Sequence, residues 1–171
     1  KKIFQPPMVL VSSGFNRIFF CDFPVLFQDA FASFHAPEEN EDQLLFLTAY
    51  LKSDLAKYYS FQIGATMGVE RDVVRLQQIL DLPFPMPSEA PSPNAEKIVK
   101  QVADMLRKEK QTLERMKSDC ATRDEWFKLR ASRAEELQSK TNELVYQYFD
   151  VDTSARCLVE DLVNVFQPSS T

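Results

Sequence analysis

The chain has 171 residues, 44% of them hydrophobic, and a formal net charge of −5 at pH 7. That length holds one ordinary domain, or a small domain with a helical appendage, and fourteen phenylalanines can supply a core. Three glycines argue against a Gly-rich phosphate loop, and a single histidine, His35, argues against a His-ligated metal or a Ser-His-Asp triad.

In chain order, Gln5-Pro6-Pro7 leads into a short β-prone run at residues 8–11, and a second run follows at 17–21. Ser12-Ser13-Gly14 separates them, and Gly14 is free to take positive φ, so the pair reads as a hairpin with a turn longer than two residues. Residues 25–34 read as a third strand, rich in aromatics, with Pro24 at its edge and His35-Ala36-Pro37 ending it. Glu38, Glu39, Glu41 and Asp42 then place negative charge where a helix N-terminus favours it.

Residues 44–87 are the stretch around which the chain is organised. Leu44, Leu47, Leu51, Leu55 and Tyr58 fall at steps of three and four, which predicts one continuous apolar helical face. Leu45, Phe46 and Ala49 make the other side apolar too, as in a helix buried on most of its circumference. Lys52 and Lys57 read either as phosphate contacts or as the helix's solvated face, and Tyr58 and Tyr59 as stacking platforms or core. In the loop that follows, Gly64 and Gly68 allow close backbone approach to a partner. Thr66, Arg71 and Arg75 offer donors, and arginine can pair bidentately with guanine or phosphate. Local ion pairs with Glu70 and Asp72 are the plainer alternative. A second short helix ends at Leu82-Pro83-Phe84-Pro85-Met86-Pro87, which cannot continue a helix.

Residues 88–93 form a proline-rich linker, and Ser92-Pro93 predicts a helix start. Residues 94–149 contain no Gly or Pro, and their apolar residues recur at helical steps. Ile98, Val102, Met105, Leu113, Met116 and Cys120 make one stripe, interrupted at Glu109. Phe127, Ala131, Ala134, Leu137, Thr141, Leu144 and Tyr148 make another. Thr122 with Glu125 is a capping box that marks a break, so two long helices fold back as an antiparallel hairpin, with Trp126 and Phe127 as its anchor. One unbroken helix with a partner chain along its seam is the alternative. Arg123, Lys128, Arg130 and Arg133 read as solvated, with a phosphate-facing strip as the sharper reading. Residues 150–161 mimic a calcium loop, but Ala155 replaces the turn glycine and Asp161 the bidentate Glu, so no calcium site is expected. Asp152 or Thr153 should instead cap a last helix at 155–165, with Leu158, Leu162 and Val165 on one face.

The segments AYLKSDLAKYY, GATMGVERDVV and LDLPFPMP, in that order, resemble the region after the catalytic domain of adenine-N6 DNA methyltransferases of restriction–modification systems. They are similar too to target-recognition domains of Type I specificity subunits and Type IIG enzymes. The resemblance covers about residues 5–90, and NELVYQYFDVDTSARCLVEDLV echoes the family's terminal helix–turn–helix. Two departures stand out: Lys52 replaces the usual Asn, and Phe149-Asp150 stands where the family has a Gly after the aromatic. The resemblance implies an α+β fold. A target-recognition-like domain at 1–87, with a short β-sheet and buried helix, would precede the linker at 88–93. A long helical hairpin and short terminal helix at 94–171 would follow. It implies sequence-specific recognition of double-stranded DNA, with Asn16, Arg17, Lys52, Thr66, Arg71 and Arg75 as contact residues, and Ser12 and Ser13 as weaker ones.

The family's catalytic signature, Asn/Asp-Pro-Pro-Tyr/Phe, is missing, because Gln5-Pro6-Pro7-Met8 has the wrong residues at the discriminating positions. This chain is therefore expected to be no enzyme itself and to bind no cofactor or metal. S-adenosylmethionine would belong to a methyltransferase domain or subunit that partners it. The chain begins at Lys1 and not Met, which suggests a piece of a longer polypeptide. Residues 1–93 carry seven Lys/Arg against eleven Asp/Glu, and residues 94–171 thirteen against fourteen, so DNA would be met through a local patch. The acidic balance favours the rival reading, a protein–protein module that forms a homodimer through its long helices. No run of eighteen apolar residues and no signal peptide occur, and three scattered cysteines fit a reducing cytoplasmic setting without a membrane.

Overall fold

The computed structural model describes residues 4–13, 16–28, 30–63 and 76–165. Three antiparallel strands form a sheet in the order β2-β1-β3: β1 (Met8–Ser12), β2 (Ile18–Cys21) and β3 (Phe31–His35). β1 is central and buried throughout. Its alternating residues serve two faces. Val9 and Val11 enter the main core, whereas Met8 and Leu10 join Cys21 in a smaller outer cluster.

The third strand is shorter than expected. Regular pairing begins only at Phe31, where Ser12 opposes it, and runs to His35 opposite Met8. Val25 and Phe27 fold over the outer face against Met8, Leu10 and Cys21, and Phe27 meets Phe4 edge-on at 5.2 Å. Neither face of 25–34 alternates cleanly, so its first aromatics cover the sheet instead of extending it.

The central helical run is two helices, α1 (Glu41–Lys52) and α2 (Asp54–Ile63). Ser53 breaks it. Its backbone is extended, and its hydroxyl donates to the Tyr50 carbonyl at 2.6 Å and accepts from Ala56 N–H at 3.2 Å. Leu44, Leu45, Phe46, Thr48, Ala49, Tyr50 and Leu51 are all buried, as the two-sided apolar pattern requires. Glu41 and Asp42 at the start of α1 share Arg107 at 2.8 and 2.6 Å. The short helix α3 (Leu76–Leu80) precedes the proline run, whose Phe84 ring packs against Phe46 and Tyr50.

Two long helices follow, α4 (Ala95–Asp119) and α5 (Arg123–Tyr148), folded back as a hairpin. The Thr122–Glu125 capping box is formed in both directions at 3.2 Å. α4 starts at Ala95, two residues after the expected first turn, with Ser92 accepting from Asn94 N–H at 3.4 Å. The Glu109 that interrupts the first stripe receives a bidentate pair from Arg133, at 2.7 and 2.6 Å. This pair sets the rotation of α5. Trp126, Arg133 and Leu137 turn inward, whereas Phe127, Ala131 and Ala134 are exposed. Those three sit about 100° round the helix from Trp126, so the expected second stripe holds only from Leu137 onward.

α5 ends in a Schellman turn: Val151 N–H donates to Tyr146 O at 2.9 Å, and Asp150 takes φ 50°, the conformation for which glycine is favoured. Asp152 Oδ1 then caps α6 (Thr153–Val165) through the Ser154 and Ala155 N–H groups. The inward face of α6 is Val159 and Val163. Leu158 and Val165 are 63% and 74% exposed, because Arg156, held over the Tyr146 ring and by Glu143, orients the helix differently.

Candidate nucleic-acid interface

Asn16 and Arg17 leave the β1–β2 turn, which Ser12 organises: its hydroxyl donates to Asn16 Oδ1 at 2.9 Å and accepts from Arg17 N–H at 3.1 Å. Asn16 Nδ2 is thereby left without a protein partner among the described residues. The break at Ser53 makes Lys52 the last residue of α1 and sets Lys57 on the first turns of α2. A third element fixes this junction. Gln138 of α5 donates to the Lys52 carbonyl at 2.8 Å. Asn142, one turn on, accepts from Asp54 N–H at 3.1 Å and donates to the Asp54 carboxylate at 2.7 Å.

Together these elements enclose a surface cleft of about 370 Å³ lined by Asn16, Arg17, Ile18, Phe19, Leu51, Lys52, Lys57 and Gln138. Three cations and no carboxylate line it, in a protein whose net charge is −5. Lys57 reaches Asp54 at 2.9 Å, whereas Arg17 and Lys52 have no ion pair among the described residues. Lys52 is an exposed residue, and desolvation of its ammonium, reinforced by Arg130, lowers its pKa.

Ile18, Phe19 and Lys52 also line a larger groove of about 750 Å³ between the sheet, α1 and the hairpin. Its walls include Leu45, Leu113, Trp126 and Leu137, and its cations include Lys110, Lys117 and Arg130. Another cleft, bounded by α2, α5 and α6, has the opposite balance: Asp54, Glu135, Glu143 and Glu160 outnumber Lys57 and Arg156. Tyr146, buried there, is pushed up to about 12 by desolvation and by Asp54. Only the first cleft is lined by cations alone, since Asp22, Glu41, Glu109 and Glu114 line the larger groove beside its five cations.

Of the expected contact residues, Asn16, Arg17 and Lys52 converge. Thr66, Arg71 and Arg75 lie outside the described residues, as do Gly64 and Gly68. Ser12 is spent on the turn, and Ser13 N–H donates to Ala30 O at 2.9 Å. Tyr58 and Tyr59 are half-buried and packed on the core, meeting edge-on at 5.9 Å. Among the basic residues of α5, Arg133 is taken by Glu109 and Arg123 lies over the Phe127 ring, whereas Arg130 lines the large groove. Sequence reasoning missed Gln138 and Asn142, whose only signal was two amides one turn apart on a helix with an apolar stripe.

His35 is exposed and within 3.1 Å of Ser33 Oγ. Cys21, Cys120 and Cys157 are free, and burial raises the Cys21 thiol pKa. Among the described residues, no group of three or more His, Cys, Asp or Glu is placed to hold a metal ion, and no helix is long and apolar enough to cross a membrane. No protein-family model matches the chain, and searches of curated proteins and of solved structures find no significant match.

Proposed function

We propose that this chain is a sequence-specific double-stranded DNA recognition region of a restriction–modification adenine-N6 DNA methyltransferase, itself without a catalytic centre. The observation that carries the reading is the cleft where Asn16, Arg17, Lys52 and Lys57 meet without a lining carboxylate. Phosphates would be held by Lys52 and Lys57. Arg17 and Asn16, on the turn, would reach base edges, where Arg pairs with guanine and Asn with adenine. Thr66, Arg71 and Arg75 join this reading on the sequence resemblance alone. The partner would be a methyltransferase domain or subunit that binds S-adenosylmethionine, in a cytoplasmic setting consistent with the three free thiols.

Enrichment from a random duplex pool tests it. The intact chain should select one sequence, and Arg17→Ala should relax that selection, at a cost of about 1–3 kcal/mol for a lost bidentate base contact. Retention of no duplex at low salt contradicts the reading. The rival reading, a homodimer through the long helices, is favoured by one observation: Phe127, Ala131 and Ala134 lie exposed along one side of α5. A concentration-dependent dimer abolished by Phe127→Glu would support that rival.

A further inference from the structure

Lys52 and Arg130 stand on different elements and line the same groove. Arg130 lies eight residues before Gln138, whose amide bonds the Lys52 carbonyl at 2.8 Å. Eight residues of helix span about 12 Å, a distance that two extended basic side chains close from opposite ends. Three of the four carboxylates that line the groove are bonded by other cations. Asp22 is bonded by Lys110, Glu41 by Arg107, and Glu109 by Arg133. Glu114, the remaining acid of the groove, lies one turn beyond Lys110 on α4 and acts on that lysine. Neither Lys52 nor Arg130 has an ion pair among the described residues. The two act on each other instead, since Arg130 helps lower the Lys52 pKa.

Two like charges that line one groove, neither bonded by a carboxylate among the described residues, call for an anion. The guanidinium can grip two oxygens in a fork, and the ammonium supplies a point charge to a third. We propose that Lys52 and Arg130 form one site for a phosphate group. The helical hairpin then helps to grip the DNA backbone instead of only setting spacing. That the phosphate belongs to DNA rests on the function proposed above.

The test uses the intact chain, a mixed-sequence duplex and, separately, inorganic phosphate. Each phosphate contact contributes about 0.9 to the slope of log affinity against log salt. Lys52→Gln and Arg130→Gln should each lower the slope by about that amount, and the double variant by no more than either, because both residues serve one phosphate. Neither substitution should lower Tm without ligand, since each relieves repulsion. Arg130→Lys should recover most of the slope. An unchanged slope in Arg130→Gln beside a reduced one in Lys57→Gln overturns the site and leaves DNA recognition standing. If the chain ignores duplex but inorganic phosphate shifts the Lys52 and Arg130 side-chain NMR signals together, the site stands and the DNA reading falls. If neither probe has an effect, both fall.

Discussion

The two ends of the helical hairpin differ in composition, apolar at the base and densely charged toward the tip, and are held by different forces. Every buried residue of α4 lies between Ala95 and Ala103, and every one of α5 between Thr141 and Tyr148. At this base the helices meet α1 and the proline run. The Tyr148 ring lies 4.4 Å from Phe46, and its hydroxyl donates to Pro85 O at 2.7 Å. From residue 104 to 140 nothing is fully buried. There the helices hold each other through Glu109 with Arg133 and through half-buried Leu113, Trp126 and Leu137. A long helix thus takes its stability from the part that reaches the core, and its remaining length is free to carry surface chemistry. The groove lined by Lys52 and Arg130 sits where the two regimes join.

Substitutions should expose this difference, beginning with the base. Tyr148→Ala should lower the unfolding free energy by about 3–5 kcal/mol in denaturant titration, through the cavity and the lost bond to Pro85. Trp126→Ala, near the tip and already half-exposed, should cost only about 1 kcal/mol. Equal costs would break the comparison. Asn142→Ala, at the junction, should cost about 1–3 kcal/mol, because it strips partners from the Asp54 N–H and carboxylate together. Thermal unfolding beside Gln147→Ala, an exposed change on the same helix, measures it. Asp150→Gly should stabilise the base by about 0.5–1 kcal/mol, since glycine takes the positive φ without steric cost; a lower Tm would contradict the assigned turn. Smallest in global effect is Arg133→Gln. It should leave Tm nearly unchanged while speeding amide exchange across residues 104–140, and uniform exchange would show the tip and base to be one cooperative unit.

Local chemistry made several elements legible. Thr122 and Glu125 announced the hairpin break, Ser12 and Ser13 the end of β1, and the two-sided apolar run the burial of α1; Gly14 lies outside the described residues. The break at Ser53 was hidden because Leu55 and Tyr58 keep helical spacing across it; Ser53 followed by Asp54 was the N-cap signal. The faces of α5 and α6 were misread for a related reason. Periodicity gives a stripe's spacing, whereas its rotation is set by partners such as Glu109 and Glu143, which are distant in sequence. The resemblance to target-recognition domains pointed to Asn16 and Arg17, and a lysine on a helix face to Lys52. Their convergence was not legible, since the bond that fixes the cleft joins Gln138 to Lys52 across 86 positions.

The most direct test of the central claim is an amide-exchange footprint of the chain with and without the duplex it selects. Slowed exchange is expected at residues 16–21, 51–57 and 130–138, with the acidic cleft around Glu143 and Glu160 unchanged. Protection confined to the outer side of α5 around Phe127, Ala131 and Ala134, appearing without DNA and growing with protein concentration, would contradict it and make the hairpin a dimerisation surface.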